Sequence, residues 1–236
     1  MVKTYFQIHP NLIEIKWPKE INDKILLEQI AVKSFLEEFY RDIILEIRIG
    51  FNTLSILFDI EISNQPWDEI WNKVLNVDHS ESGIESTTWK IPVCYQGEFA
   101  FDLENLAKTK KITTSELITI HCSKPYRLHF YGFLPGFMYL GGLDSSLHCP
   151  RKSSPNLVIP KGSVAIGGSQ TGIYPMQSPG GWHVIGKTPL VLFDNQKTEV
   201  TIAKQGDRIQ FQSIEMDEFD FISNQVKEGK YNWENA

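Results

Sequence analysis

Gly181, Gly186, Lys187 and Thr188 stand at the spacing G-x-x-x-x-G-K-T within "PGGWHVIGKTPLVLF", residues 179–193. That is the spacing of a loop that wraps phosphate in backbone N–H groups, provided a strand enters it and a helix leaves it. Here Trp182, His183, Val184 and Ile185 fill the loop with bulky and β-branched side chains, and Pro189 to Phe193 follow as a short apolar run. The expectation is two β-segments joined by a Gly-Lys turn, not a nucleotide site. No G-x-S-x-G elbow, H-E-x-x-H pair or dinucleotide glycine fingerprint occurs either. Histidines at 9, 79, 121, 129, 148 and 183 are scattered, and the adjacent His148 and Cys149 diverge, so no metal site is expected. Cys94, Cys122 and Cys149 form no C-x-x-C pair and read as free thiols.

The elements that must position any site divide the chain in two. Residues 1–84 hold 8 basic and 14 acidic residues, while residues 85–236 hold 15 of each, so the whole net charge of −6 lies in the first third. An acidic balance argues against nucleic acid, whose binding relies on a positive patch. No apolar run approaches a membrane span and no signal segment is evident, so a cytoplasmic protein without membrane contact is expected. Between Gly132 and Pro189 lie 11 of the 16 glycines and 7 of the 12 prolines, a density that excludes long helices there.

In the first part, "TYFQI" and "NLIEIKW" predict a hairpin. Ile21, Ile25, Val32, Phe35, Leu36 and Phe39 predict an amphipathic helix over residues 22–40. Two more strands follow through Ile49 and Phe58, then a helix with Pro66 at its first position. The order ββαββα predicts a small two-layer α+β domain over residues 1–80, and "DHSESG", 78–83, reads as a linker. Residues 85–236 predict "TTWKIPVCY" as a strand with Pro92 at an edge or bulge, helices over 102–110 and from Thr113 through His121, and thereafter only strands. Those strands are "YRLHFYGF", "NLVIP", "SVAIGG", "WHVIG", "PLVLF", "EVTIA" and "DRIQFQ", the spacing of a closed barrel or sandwich.

Two loops carry the densest aromatic content. "GFLPGFMYLGGLD", 132–144, and "SQTGIYPMQSPGGWHVIG", 169–186, combine aromatic walls with a few hydrogen-bonding groups. They could form a ligand pocket or partner surface, or plug one end of the barrel; the former requires both to converge on one recess.

"PVCYQGEFAFDL", "YGFLPGFMYLGGLD", "IPKGSVAIGG", "QTGIYPMQSPGGWHVIGKTPL" and "GDRIQF" closely resemble the KipI family, the B-type subunits of 5-oxoprolinase, sometimes labelled allophanate hydrolase subunit 1. The resemblance implies a mainly-β cyclophilin-like barrel after the α+β N-terminal domain. It further implies a non-autonomous component, inactive alone, of an ATP-dependent complex that opens 5-oxo-L-proline to L-glutamate. ATP would be a co-substrate of the complex, with no cofactor bound by this chain alone; the partners would be the KipA-like and LamB/YcsF-like subunits of 5-oxoprolinase. Some members instead bind and inhibit a sporulation histidine kinase.

On the family's blocks, Glu98, Asp102 and His121 are candidate acid, base or orienting groups, each with a structural alternative such as capping a helix. Arg151 and Lys161 could meet a carboxylate or phosphate. Phe133, Pro135, Phe137, Tyr174, Pro175 and Trp182 would wall the pocket or the subunit contact, with Gln170 and Thr171 hydrogen-bonding inside it.

Overall fold

The computed structural model describes residues 2–62, 64–77, 86–196 and 200–232. The chain divides into two compact units, residues 1–85 and 86–236. The linker expected at 78–83 lies outside the described residues.

The first unit runs β1 (Thr4–His9), β2 (Leu12–Lys16), α1 (Asp23–Phe39), β3 (Ile44–Ile49), β4 (Thr53–Phe58) and α2 (Asn64–Leu75), with an antiparallel sheet in the order β1-β2-β4-β3. Alternation puts Ile13, Ile15, Leu54, Ile56 and Phe58 on one face, where they meet Ile25, Val32 and Leu36 of α1 and Trp67, Ile70 and Val74 of α2. Asn22 caps α1, its side-chain oxygen accepting the Ile25 N–H at 2.8 Å. Pro66 falls third in α2 rather than first, and Phe39, at the last position of α1, is exposed. The core also encloses an ion pair, Lys3 Nζ to Glu28 Oε1 at 2.5 Å, with both side chains almost wholly buried.

The second unit is a closed seven-stranded barrel. Its strands are β5 (Thr88–Cys94), β6 (Tyr126–Tyr131), β7 (Met138–Gly141), β9 (Ser163–Gly167), β10 (Gln170–Ile173), β12 (His183–Lys187) and β13 (Arg208–Ile214), in the order β10-β7-β6-β13-β5-β12-β9. A separate ribbon pairs β8 (Asn156–Ile159) with β11 (Ser178–Gly180). Leu128, Met138, Leu140, Val164, Ile166 and Ile173 fill the interior. Helices α3 (Leu103–Lys110) and α4 (Thr114–Cys122) precede β6, and the expected capping box of α4 is present, with Thr113 and Glu116 bonding reciprocally. Pro92 lies at a loose seam of the barrel: β5 pairs with β13 over all seven residues but with β12 only at Cys94–Lys187.

Three expectations after Tyr126 fail. Among the described residues "PLVLF" and the last four of "EVTIA" are not strands; they pair at the isolated bridge Phe193–Thr201, and Leu190, Leu192 and Ala203 pack into the barrel's core cluster as irregular chain. Met216–Lys227 is a helix, α5, where only strands were expected; Phe219, Ile222 and Val226 recur at helical spacing and pack on the barrel. Finally, β7, β10 and β11 run through segments read as loops.

Candidate functional site

The alternation of β10 decides what its residues can do. Thr171 and Ile173 point into the barrel; Gln170, Gly172 and Tyr174 point out. On the outer face the register sets Gly172 beside Tyr139 and Ala165, Val184 beside Ala165, and Gln170 beside Gly167. The face is nearly flat at Gly167 and Gly172, and Trp182 lies across both: a Cβ on Gly167 would stand 2.6 Å from the indole, and one on Gly172 3.1 Å from it. Glycine is required by close approach rather than dihedral freedom, of the indole at Gly167 and of the Met138 carbonyl, 2.6 Å from an added Cβ, at Gly172.

Around Trp182 the two aromatic segments meet. Phe137 packs edge-on against Trp182 at 5.5 Å and against Tyr174 at 5.0 Å, Tyr139 reaches Trp182 at 5.7 Å, and Phe130 stacks on Tyr139 at 4.3 Å. Phe133 stands edge-on to Phe137 at 5.7 Å yet is itself 60% exposed, with a left-handed φ of 63°. A bulky residue in that region is strained, and strain held beside an exposed ring marks a functional candidate. Pro135 is exposed beside it and Pro175 is buried behind Tyr174. Above the array, the exposed guanidinium of Arg151 sits 5.8 Å from the Trp182 ring and has no carboxylate partner among the described residues. Burial raises the Tyr174 hydroxyl to about 12 and raises that of Tyr139, so both rings stay neutral donors. Two buried polar atoms complete the set: neither Gln170 Nε2 nor Ser178 Oγ has a hydrogen-bond partner among the described residues.

The segments therefore converge as expected, but as a packed aromatic layer on the barrel's outer face rather than as the lining of one recess. A hollow of about 730 Å³ lies elsewhere, lined by Tyr95, Gly97, Phe101, Glu104, Ser115 and Thr119 among others.

Other expected site residues are dispersed. Thr171 cannot join Gln170 in a pocket, because adjacent strand residues face opposite ways; its hydroxyl bonds His121 Nε2 at 2.9 Å inside the barrel. His121 also bonds the Tyr95 hydroxyl through Nδ1 at 2.8 Å and stacks on Phe211 at 4.6 Å. Complete burial drives its pKa down to about 3, so it is neutral and locked rather than poised for proton transfer. Asp102 is a clamp: Oδ1 takes the Lys152 ammonium at 2.6 Å and Oδ2 takes the Val184 N–H at 2.8 Å, tying the start of α3 to β12 and to the segment that carries Arg151. Glu98 is exposed on a single turn of 3-10 helix, Gly97–Ala100. These three make no hydrogen bond with one another. Lys161 is exposed and lines a different hollow, with Lys187. Lys152, Phe130 and Tyr139 were not among the expected site residues, although Tyr139 lies in one of the two aromatic segments; strand alternation around Leu140 is the signal that would have placed it on the outer face.

Residues 4–203 match the family described as "Carboxyltransferase domain, subdomain C and D". The B-type subunit of 5-oxoprolinase from Bacillus subtilis is 35% identical over 219 residues, covering 88% of this chain and 91% of that one. This chain belongs to the family of B-type 5-oxoprolinase subunits. A second member of that family, from Haemophilus influenzae, is 40% identical over 172 residues, 71% of this chain and 78% of that one. A conserved uncharacterized protein of Pyrococcus horikoshii is 33% identical, with a TM-score of 0.55 over 89% of this chain and 96% of that one. The K. lactis urea amidolyase shares the fold, with a TM-score of 0.83 at 18% identity over 99% of this chain and 16% of that one.

Proposed function

We propose that this chain is one component of an ATP-dependent 5-oxoprolinase, and that its aromatic outer face supplies part of the substrate pocket or of the subunit interface that closes over it. Relatives named as 5-oxoprolinase subunits support the activity. The observations that carry the role of this face are the unpaired Arg151 guanidinium above Trp182 and, on the same outer face, a buried Gln170 donor that has no acceptor among the described residues.

5-Oxo-L-proline presents one carboxylate and one lactam. A carboxylate matches a guanidinium in bidentate geometry, and a flat apolar ring edge matches an aromatic wall. A lactam oxygen is the acceptor that Gln170 Nε2 lacks, and burying that donor without one costs free energy that a ligand would restore. Phe137, Tyr174 and Trp182 are buried already and only the rim at Phe133, Pro135 and Arg151 is exposed, so a ligand at that rim is shielded from water only when another polypeptide covers it. The phosphoryl transfer from ATP belongs to the assembled complex, with KipA-like and LamB/YcsF-like partners.

The test is to combine the purified chain with its candidate partner subunits, ATP and 5-oxoproline and to measure glutamate. Product is expected only with all components present, and Arg151→Ala should lower kcat/KM by roughly 10- to 100-fold while the subunits still co-elute. Equal glutamate formation without this chain would end the proposal.

A further inference from the structure

The phosphate-loop spacing at Gly181 to Thr188 is spurious as a loop, since His183–Lys187 is a strand and no helix follows Thr188 directly. Its last two residues nevertheless line a hollow of about 300 Å³ between the ends of β9 and β12 and the face of α5. That volume is at the lower end for small-ligand pockets. Lys161 and Lys187 reach it from neighbouring strand ends, which are tied by the Thr188 N–H donating to the Gly162 carbonyl at 2.9 Å. Lys227 reaches it from the last turn of α5, along with Phe219, Ser223 and Val226 from the same helix face.

Three lysines thus line one space, no carboxylate lines it among the described residues, and none of the three has an acidic partner there. The acidic residues of α5, Asp217, Glu218 and Asp220, do not contribute to the wall. Lys187 is held without being neutralised. Its Nζ lies 4.8 Å from the Phe99 ring and 6.0 Å from the Phe219 ring, which pack on each other at 4.5 Å. Aromatic faces fix a cation in place and leave its charge available. Two hydroxyl-bearing residues line the same hollow. Thr188, 2% exposed, accepts the Leu190 N–H at 3.3 Å and donates its own proton to no acceptor among the described residues. Ser223 offers a second hydroxyl.

We propose that this hollow binds a phosphate group, with Lys187 as the fixed cation, Lys161 and Lys227 as flanking cations and Thr188 as a hydroxyl donor. Cations and donors without a carboxylate select an anion, and lysine recognises phosphate as a point charge. Free phosphate and the end of a nucleotide present the same oxygens to such a site. The hollow is built from this chain's own residues, so binding there requires neither the partner subunits nor the 5-oxoprolinase reaction.

The experiment is isothermal titration of the purified full chain with inorganic phosphate, with ADP and with glutarate, at matched ionic strength. Phosphate and ADP are expected to bind, glutarate at least 10-fold more weakly, on the order of one lost charge-assisted contact. Equal affinity for phosphate and ADP assigns the site to free phosphate; tighter ADP binding assigns it to the phosphate end of a nucleotide. Lys187→Met, which keeps an apolar chain against Phe99 and Phe219, should weaken binding by roughly 10- to 100-fold. Lys227→Met, an exposed helix-end change that leaves the fold intact, should weaken it several-fold. Absence of heat with both phosphate and ADP, unchanged affinity in both variants, or glutarate binding as tightly as phosphate would overturn the proposal.

Discussion

His121 shows how one residue type can be read two ways. An imidazole near carboxylates suggests proton transfer, yet this one has both nitrogens bonded to hydroxyls of Tyr95 and Thr171 and no exposed surface. Its folded pKa, about 3, lies below the ordinary value of 6.5. The unfolded chain therefore binds the extra proton first, and the fold's advantage is complete above pH 6.5 and drains as pH falls toward 3. Between pH 7 and pH 5 that loss is about 2 kcal/mol for a single group. Urea unfolding across this range should show it in the wild type and not in His121→Gln; parallel pH curves for the two proteins would mean that the imidazole is solvated.

At the scale of elements, the outer face depends on what is missing from two strands. Gly167→Ala would drive a methyl group into the Trp182 indole, which is trapped between Phe137 and Tyr139 and cannot slide away. The expected cost is about 1–3 kcal/mol of stability, with lowered glutamate formation in the complex, measured by urea midpoint and turnover. An unchanged midpoint would show that the ring is not seated on that glycine. Elements with strong periodic signals were legible from sequence: α1 by its apolar stripe, α4 by its capping box, and the first hairpin by its turn. Helix α5 was not, because its acidic first turn and single phenylalanine-isoleucine face followed directly on β13 without a glycine or proline to announce the change. "PLVLF" misled in the opposite direction, since a β-favouring composition cannot reveal that, among the described residues, its pairing stops at one isolated bridge.

Across the whole molecule, the sequence marked which segments matter better than how they are arranged. The two glycine- and proline-rich blocks did come together, since Phe137 and Trp182 touch. Whether they enclose a hollow or coat a surface depends on strand register, because only the register assigns Gln170 outward and Thr171 inward. The same limit applies to the Lys187 site: its three lysines lie 26 and 40 residues apart in the chain, a proximity that only barrel closure and the docking of α5 create. The acid–base candidates dissolved for a related reason, Asp102 and His121 each being satisfied by neighbours distant in sequence, as Asp102 is by Lys152.

The seam beside Pro92 has a consequence for how the barrel breathes. With a single paired position between β5 and β12, the cylinder has a built-in parting line, and deuterium uptake should enter there before the amides between β9 and β10 exchange. Mass-spectrometric exchange resolved to peptides would reveal that order. A gap that opens ahead of global unfolding would also let Lys187, whose strand forms one lip, shift relative to α5 while the rest of the wall stays closed.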